Sequence, residues 1–392
     1  MRFTSGRLAG TRAARHVLLA AGSAALAAGM VAGSASLATA SATGPATGSG
    51  HGHGHGAGSG SGQPSTAPAF FAGIISQSTS ASPPSHGTKR HRHKFRHHAS
   101  TPAFVDVVQT FSSANGAPAG TVTFPSGQDV ESLARLGADQ SFVAASFDRS
   151  ACVSHLWKFT IDSAGKPGSL SPFSVPQVSG ALEALASSAD GSTVAFTAEP
   201  CKGGDQQIEV VRQATGTVHR HGAGGGVTRW NSSTPTGSLS LTADGSVLGF
   251  VVFQSDDQGN SLSKAWTLST TARGGPLLHR AHQVPGPAGN TDQAVLSPSG
   301  DQIWTEAENG QGPATLILAT TSTGAQVRQV TQLSDGGGRL ALDNSGQHML
   351  SYGGNPGAGH ADVDQIDLSS GQTRTLTITD PVIDGSLTTF AW

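Results

Sequence analysis

The sequence predicts an all-β protein, a six-bladed β-propeller closed by its C-terminal strand. Three observations predict it. A phrase of the form Ser-x-Asp-Gly-x-x-aliphatic-x-Phe recurs with Asp139, Asp190, Asp244, Ser299 and Ser345 at its third position, spaced by 51, 54, 55 and 46 residues. Self-similarity at about 40–50 residues is the mark of propeller blades. A second signal, a small-residue turn ending in glycine, follows each copy at a near-constant offset. The composition agrees: 53 Gly and 20 Pro in 392 residues, with 12% charged residues, suit many short strands joined by tight turns.

Residues 1–42 read as a targeting segment. Arg2, Arg7, Arg12 and Arg15 precede an uncharged Ala/Gly/Leu/Val run from Val17. Small residues at Ala38-Thr39-Ala40 or Ala40-Ser41-Ala42 offer a cleavage site. An uncleaved anchor is the alternative, since the run is long enough to span a membrane. Either way the body is expected outside the cytoplasm, secreted or at the cell surface. Residues 43–66, with His51, His53 and His55 among Gly and Ser, have the composition of a disordered linker.

The propeller is expected over residues 67–392. Ala69 to Ile75 is an isolated apolar run. It fits a strand B, the second of the four antiparallel strands A to D that make a blade, with A innermost. Residues 78–101 would then loop out before a strand C over 104–111. Leu182 to Ser187 and Thr193 to Ala198 form the clearest A–B hairpin, with Asp190-Gly191 giving the positive φ of a tight turn. The C–D turns are expected at Gly116, Gly165, Gly216, Gly274, Gly324 and Gly371. Six C–D turns against five A–B turns leave one blade short of a strand at each end. Gly385 to Trp392 supplies its strand A and 69–76 its strand B, which closes the ring and removes its exposed edges.

Cys152 and Cys201 follow Asp139 and Asp190 by 13 and 11 residues, at matching places in adjacent repeats. In an oxidising compartment they are expected to form an inter-blade disulfide.

The Asp-Gly-x-x-aliphatic-x-Phe phrase and the Phe390-Ala391-Trp392 ending resemble the WD-like repeats of TolB-type propellers and of prolyl-oligopeptidase-type propeller domains. Ser188 to Phe196 and Ser297 to Trp304 come closest. The resemblance covers about residues 69–392 and implies the fold and a binding platform. It departs where most copies lack the leading aromatic and where Ser299 and Ser345 replace Asp.

Charge is divided along the chain. All 25 Asp and Glu lie at or after Asp106, against 14 Lys and Arg there, so the body carries about −11, while nine Lys and Arg and nine His lie before it. Between Ser85 and His98 stand five cations, Lys89, Arg90, Arg92, Lys94 and Arg96, and five His, including His91, His93, His97 and His98. The cations could meet a polyanion such as a cell-wall polymer. No cofactor is expected; the four histidines could instead hold a transition metal. The plain alternative is a solvated, self-repelling loop. His219 and His221, and His279 and His282, follow C–D turns and read as exposed outer-strand residues. Asp256 and Asp257, within Ser255 to Ser261, could hold calcium, but further oxygen ligands are not identifiable and the segment reads as a polar turn.

No nucleophile elbow, zinc-protease helix or phosphate loop occurs. The function expected is therefore a non-catalytic exported platform, a monomer binding an extracellular protein or an anionic cell-wall polymer, with no sequence-specific nucleic-acid binding. A membrane is involved only if the N-terminal segment stays uncleaved. The competing class is a lactonase- or lyase-like propeller enzyme with its site at the channel mouth. Convergent Asp, Glu or His there would favour the enzyme, and a Ser, Thr, Ala and Leu lining would favour binding.

Overall fold

The fold comes from a computed structural model that describes residues 67–78, 104–137, 139–175, 177–213, 227–255, 261–286, 289–307, 314–333, 338–352, 360–378 and 383–392. Thr66–Trp392 forms one compact unit. Residues 1–42, read as a targeting segment, residues 43–66, read as a linker, and the basic stretch after Ser78 lie outside the described residues.

Six sheets follow one another, antiparallel except where the two-residue β16 joins one of them. The closing blade takes β1 (Phe70–Ser78), β2 (Phe104–Ser112) and β3 (Pro118–Val122) from the N-terminal part. Blade one holds β4 (Gln128–Arg135), β5 (Ser141–Asp148), β6 (Val153–Thr160), β7 (Ser171–Pro172) and β8 (Val178–Ser179). Blade two holds β9 (Ala181–Ser187), β10 (Thr193–Glu199), β11 (Gln206–Arg212) and β12 (Val227–Ser232). Blade three holds β13 (Thr236–Leu241), β14 (Val247–Ser255), β15 (Ser261–Ser269) and, beyond β16 (Gly275–Pro276), β17 (His282–Gln283). Blade four holds β18 (Ala294–Leu296), β19 (Gln302–Ala307), β20 (Thr315–Thr320) and β21 (Gln326–Gln332). Blade five holds β22 (Arg339–Leu342), β23 (His348–Tyr352), β24 (Ala361–Asp367) and β25 (Thr373–Ile378).

The last strand, β26 (Ile383–Ala391), pairs antiparallel with β1, placing Ala391 opposite Ala72 and Phe390 opposite Gly73. This is the closure expected from the surplus strands. Phe71, Ile74 and Ile75 are fully buried in it, while Phe70 is half-buried. Apolar residues gather in six layers, each between neighbouring blades, because every sheet is covered on both faces. The layer between blade five and the closing blade joins Phe71, Phe111, Leu350, Val363, Phe390 and Trp392.

Two C–D hairpins depart from expectation. After Gly274 the chain does not turn back along β15. Instead β16 adds in parallel to β12 of blade two, and only the two residues of β17 serve blade three as an outer strand. After Gly165 the outer strand likewise shrinks to the two residues of β7. Turn residues specify a reversal but not how far the returning strand pairs, and outer strands have only one covering neighbour. The turn expected at Gly216 lies outside the described residues.

The recurring phrase works as a hydrogen-bonded turn. Asp244 accepts from the Thr242 hydroxyl at 2.7 Å and the Ser246 amide at 2.9 Å, and the Thr242 oxygen accepts from the Val247 amide at 3.0 Å. Asp190 repeats this with Ser188 and Ser192. Where serine replaces the aspartate, a neighbour supplies the carboxylate. Asp301 takes the Ser299 and Ser297 hydroxyls. Asp343 takes the Ser345 hydroxyl and the amides of Gln347 and His348. Gly245 sits at φ +68 to close its turn.

These bonds hold the Asp244 carboxyl down to about 2, the amide of Ser246 contributing most, and hydrogen bonds led by that of Ser369 hold Asp367 down to about 2. A depressed folded-state pKa contributes stability that is present above the unfolded value and lost as pH falls through the folded one. Stability is therefore expected to fall as pH drops from about 4 towards about 2. In a thermal-melt series across that window, the double variant D244N/D367N should start lower and decline less steeply than wild type.

Candidate functional site

The six innermost strands surround an axial channel, and its end at the A–B turns opens into a cavity of about 140 Å³. All six blades line it. Leu133, Leu185, Leu239, Leu296, Leu340 and Phe390 stand for β4, β9, β13, β18, β22 and β26. Polar side chains converge at its rim: Arg135, Asp343 and Asn344, with Ser187 and Ser240 between them. The rest of its polarity is backbone, because an innermost strand has one unpaired edge and that edge faces the axis.

The rim is built by local bonding around the ring. The Ala189 amide donates to Ala243 O at 3.0 Å, and the Ala243 amide to Pro298 O at 2.9 Å. Pro298 has no amide hydrogen to continue the relay. On the other side, the Asn344 side-chain amide reaches Gly137 O, and Arg135 Nε donates to the same oxygen at 3.2 Å. Burial pushes the Arg135 guanidinium below its ordinary value, opposed by the carboxylates of Asp343 and Asp139. Asp343 is fixed from behind. His348 Nδ1 lies 3.0 Å from its Oδ2, and the His348 ring meets Trp392 edge-on at 5.9 Å. The Trp392 indole donates to Ser113 Oγ at 3.2 Å and Pro68 O at 3.3 Å. Arg135, Asp343, Asn344 and Trp392 thus belong to blades one and five and the closing blade.

At the opposite end, the innermost strands carry bulges. Register shifts leave Glu131 extra in β4, Glu183 in β9 and Thr388 in β26, and β13 has one between Gly237 and Ser240. Bulges re-aim side chains. Gln206 donates to Glu183 at 3.0 Å, and its carbonyl accepts from the amide and hydroxyl of Thr236 at 2.7 and 2.6 Å, linking blades two and three.

The cysteines are joined, with Cα atoms 6.2 Å apart. The bond ties the B–C connections of blades one and two at the end away from the cavity. It fits an oxidising, extracytoplasmic compartment. The ends of the basic stretch, Ser78 and Phe104, pair with each other at that same end. Lys89, Arg90, Arg92, Lys94, Arg96, His91, His93, His97 and His98 lie outside the described residues, as do His219, His221, Asp256 and Asp257. His279 and His282 are exposed; His282 is on outer strand β17 as expected, but His279 ends a short 3-10 helix, Leu277–His279, rather than lying on a strand. Among the described residues no three His, Cys, Asp or Glu are grouped to hold a metal ion.

Sequence reading took Asp343-Asn344 as turn scaffold and did not single out Arg135. The available signal was position: each stands at or beside an A–B turn, and such turns converge on the axis. The bulges carried no turn residue to announce them.

No protein family matches the chain, and no curated protein matches it. Solved structures do. TolB from Acinetobacter baumannii aligns with a TM-score of 0.51 at 15% identity, covering 83% of this chain and 66% of that one. The chain thus spans just under two thirds of that protein's length. A nidogen/laminin complex structure aligns at 0.48 and 9% identity, covering 82% and 97%. An Agrobacterium tumefaciens protein assigned as a TolB aligns at 0.44 and 12%, covering 79% and 89%. The chain has the fold of a TolB-type six-bladed β-propeller.

Proposed function

We infer that this is an exported, non-catalytic propeller that acts as a binding platform for another molecule at the cell surface or outside the cell. The observation that carries the reading is the axial cavity. Its walls are apolar side chains and strand edges from six blades, with a few fixed polar groups at the rim, which is the make-up of a recognition pocket. The rim carboxylate Asp343 is committed to turn bonds and to His348, a scaffold duty rather than acid–base work. The partner reading is an extracellular protein segment at the cavity. The basic stretch at the other end would contact an anionic cell-wall polymer through Lys89, Arg90, Arg92, Lys94 and Arg96. A transition metal at His91, His93, His97 and His98 is the alternative use of that stretch.

The test is photo-crosslinking in producing cells, with a benzophenone side chain at Ala243 on the cavity rim or at Gln329 on outer strand β21. A discrete adduct from position 243, none from 329, and its loss on adding A341F to fill the cavity are expected. Equal adducts from both positions would overturn the reading. Excising residues 82–98 should leave that adduct and the melting temperature unchanged while abolishing retention on an anionic polymer column.

A further inference from the structure

The outer edge of blade one is short. β7 pairs with β6 over only Ser171 and Pro172, opposite Lys158 and Trp157, whereas the outer strands β12, β21 and β25 run for six or seven residues. The chain then turns inward at Phe173. Its amide donates to Leu156 O at 2.8 Å, and its ring joins the apolar layer between blades one and two. Beside it a groove of about 390 Å³ stays uncovered. The A–B turns of the two blades separate this groove from the axial cavity. Arg135 and Ala189 line the cavity, while Leu136, Gly137, Asp190 and Gly191 line the groove.

The groove has a fixed floor. A Cβ added at Gly191 would come within 3.3 Å of Leu136 Cδ1 and 3.5 Å of Gly137 N, so the two turns touch. The Leu136 amide donates to Ser141 O at 2.7 Å, and the Gln213 amide to Ser192 O at 2.7 Å. On these walls stand three charged side chains, Asp139 and Asp190 on the turns and Lys158 on β6, all exposed. Hydrogen bonds led by that of Ser188 hold the Asp190 carboxyl below its ordinary value. Among the described residues Lys158 makes no ion pair with either carboxylate, although one groove holds all three. Opposite charges that share a groove without meeting fit a ligand that brings the complementary charge to each.

We propose that this groove binds a small dibasic aminocarboxylate, a molecule with two ammonium groups and one carboxylate. The ammonium groups meet Asp139 and Asp190, and the carboxylate meets Lys158, through charge-assisted hydrogen bonds. Two carboxylates against one ammonium give the lining a charge of −1, which a ligand of +1 balances. The ligand's methylene chain lies along Pro172 and Phe173, as lysine stems lie along apolar surface. A bare divalent cation fits less well. Lys158 repels it, and among the described residues no three His, Cys, Asp or Glu are grouped to hold it. A neutral sugar would use Ser141, Ser174 and Gln213 but leave the separated charges unanswered. The groove is distinct from the axial cavity, so the proposal goes beyond the platform reading and does not depend on it.

The test uses the full chain with L-lysine as probe, followed by saturation-transfer difference NMR. Cadaverine, which lacks the carboxylate, and 6-aminohexanoate, which lacks the α-ammonium group, are titrated beside it. Wild type should bind L-lysine about fivefold more tightly than either. K158Q should lose the preference for L-lysine over cadaverine, and D139N the preference over 6-aminohexanoate. A merely structural side chain would move neither preference. The basic stretch is present in every variant, so differences between variants report the groove. Both residues are exposed, and both variants should melt as wild type does. A341F, which fills the axial cavity, should bind L-lysine as wild type does. Equal binding of the three probes by wild type, or unchanged preferences in the two variants, would overturn the assignment. Loss of L-lysine binding in A341F would overturn the groove as its place. Glucose bound more tightly than L-lysine would overturn the choice of ligand.

Discussion

Deleting residues 67–77 is expected to abolish folding of the whole propeller rather than trim a loose end. The deleted segment contains most of β1, which lies between β26 and β2 and hydrogen-bonds to both. Phe71, Ile74 and Ile75 are fully buried, and burying each such side chain contributes about 1.5–3 kcal/mol. Loss of Phe71 and Ile75 also strips neighbours from Phe111, Leu387 and Phe390 in the same layer. The sum is comparable to the entire stability of an ordinary domain, about 5–15 kcal/mol. Deleting 43–66 instead should leave the melting curve unchanged. Circular dichroism melts of the two deletions, side by side, check this directly.

Removing the disulfide has the next largest effect. The bond spans a sequence separation of 49 residues, and closing a loop of that size stabilises by about 4 kcal/mol in the chain-entropy account. C152S/C201S should therefore melt about 5–10 °C below the oxidised protein, as should wild type kept in reductant. Alkylation without reductant should label neither cysteine of the folded protein. Two labelled thiols would contradict the bridge.

Much of the fold was legible because a propeller repeats its instructions. Asp190-Gly191 and Asp244-Gly245 each specify a turn, and the apolar alternation after them specifies the strand. The copies with Ser299 and Ser345 looked degraded, yet Asp301 and Asp343 supply the turn's carboxylate from two positions away. A two-residue relocation of this kind is invisible to a fixed pattern. Closure was legible by counting strands, since unpaired edges must be covered. The disulfide was legible from matching positions in adjacent repeats.

The site was much less legible. Arg135, Asn344 and Trp392 meet only because blade five, the closing blade and blade one are neighbours around the ring, and that adjacency joins residues more than 200 positions apart. Glu131 and Glu183 look like ordinary polar positions of alternating strands until a bulge shifts the register by one residue. The reduced outer strands of blades one and three were hidden for a related reason: pairing length depends on what covers the edge, not on the turn that precedes it.

Hydrogen exchange on the full chain, read by mass spectrometry, tests most directly whether this is a six-bladed ring closed by its two end segments. Peptides covering 70–78 and 383–391 should exchange together, at a rate as slow as that of the innermost strand of blade two, 181–187. Fast exchange of 70–78, at the rate of residues 43–66, would contradict the closure.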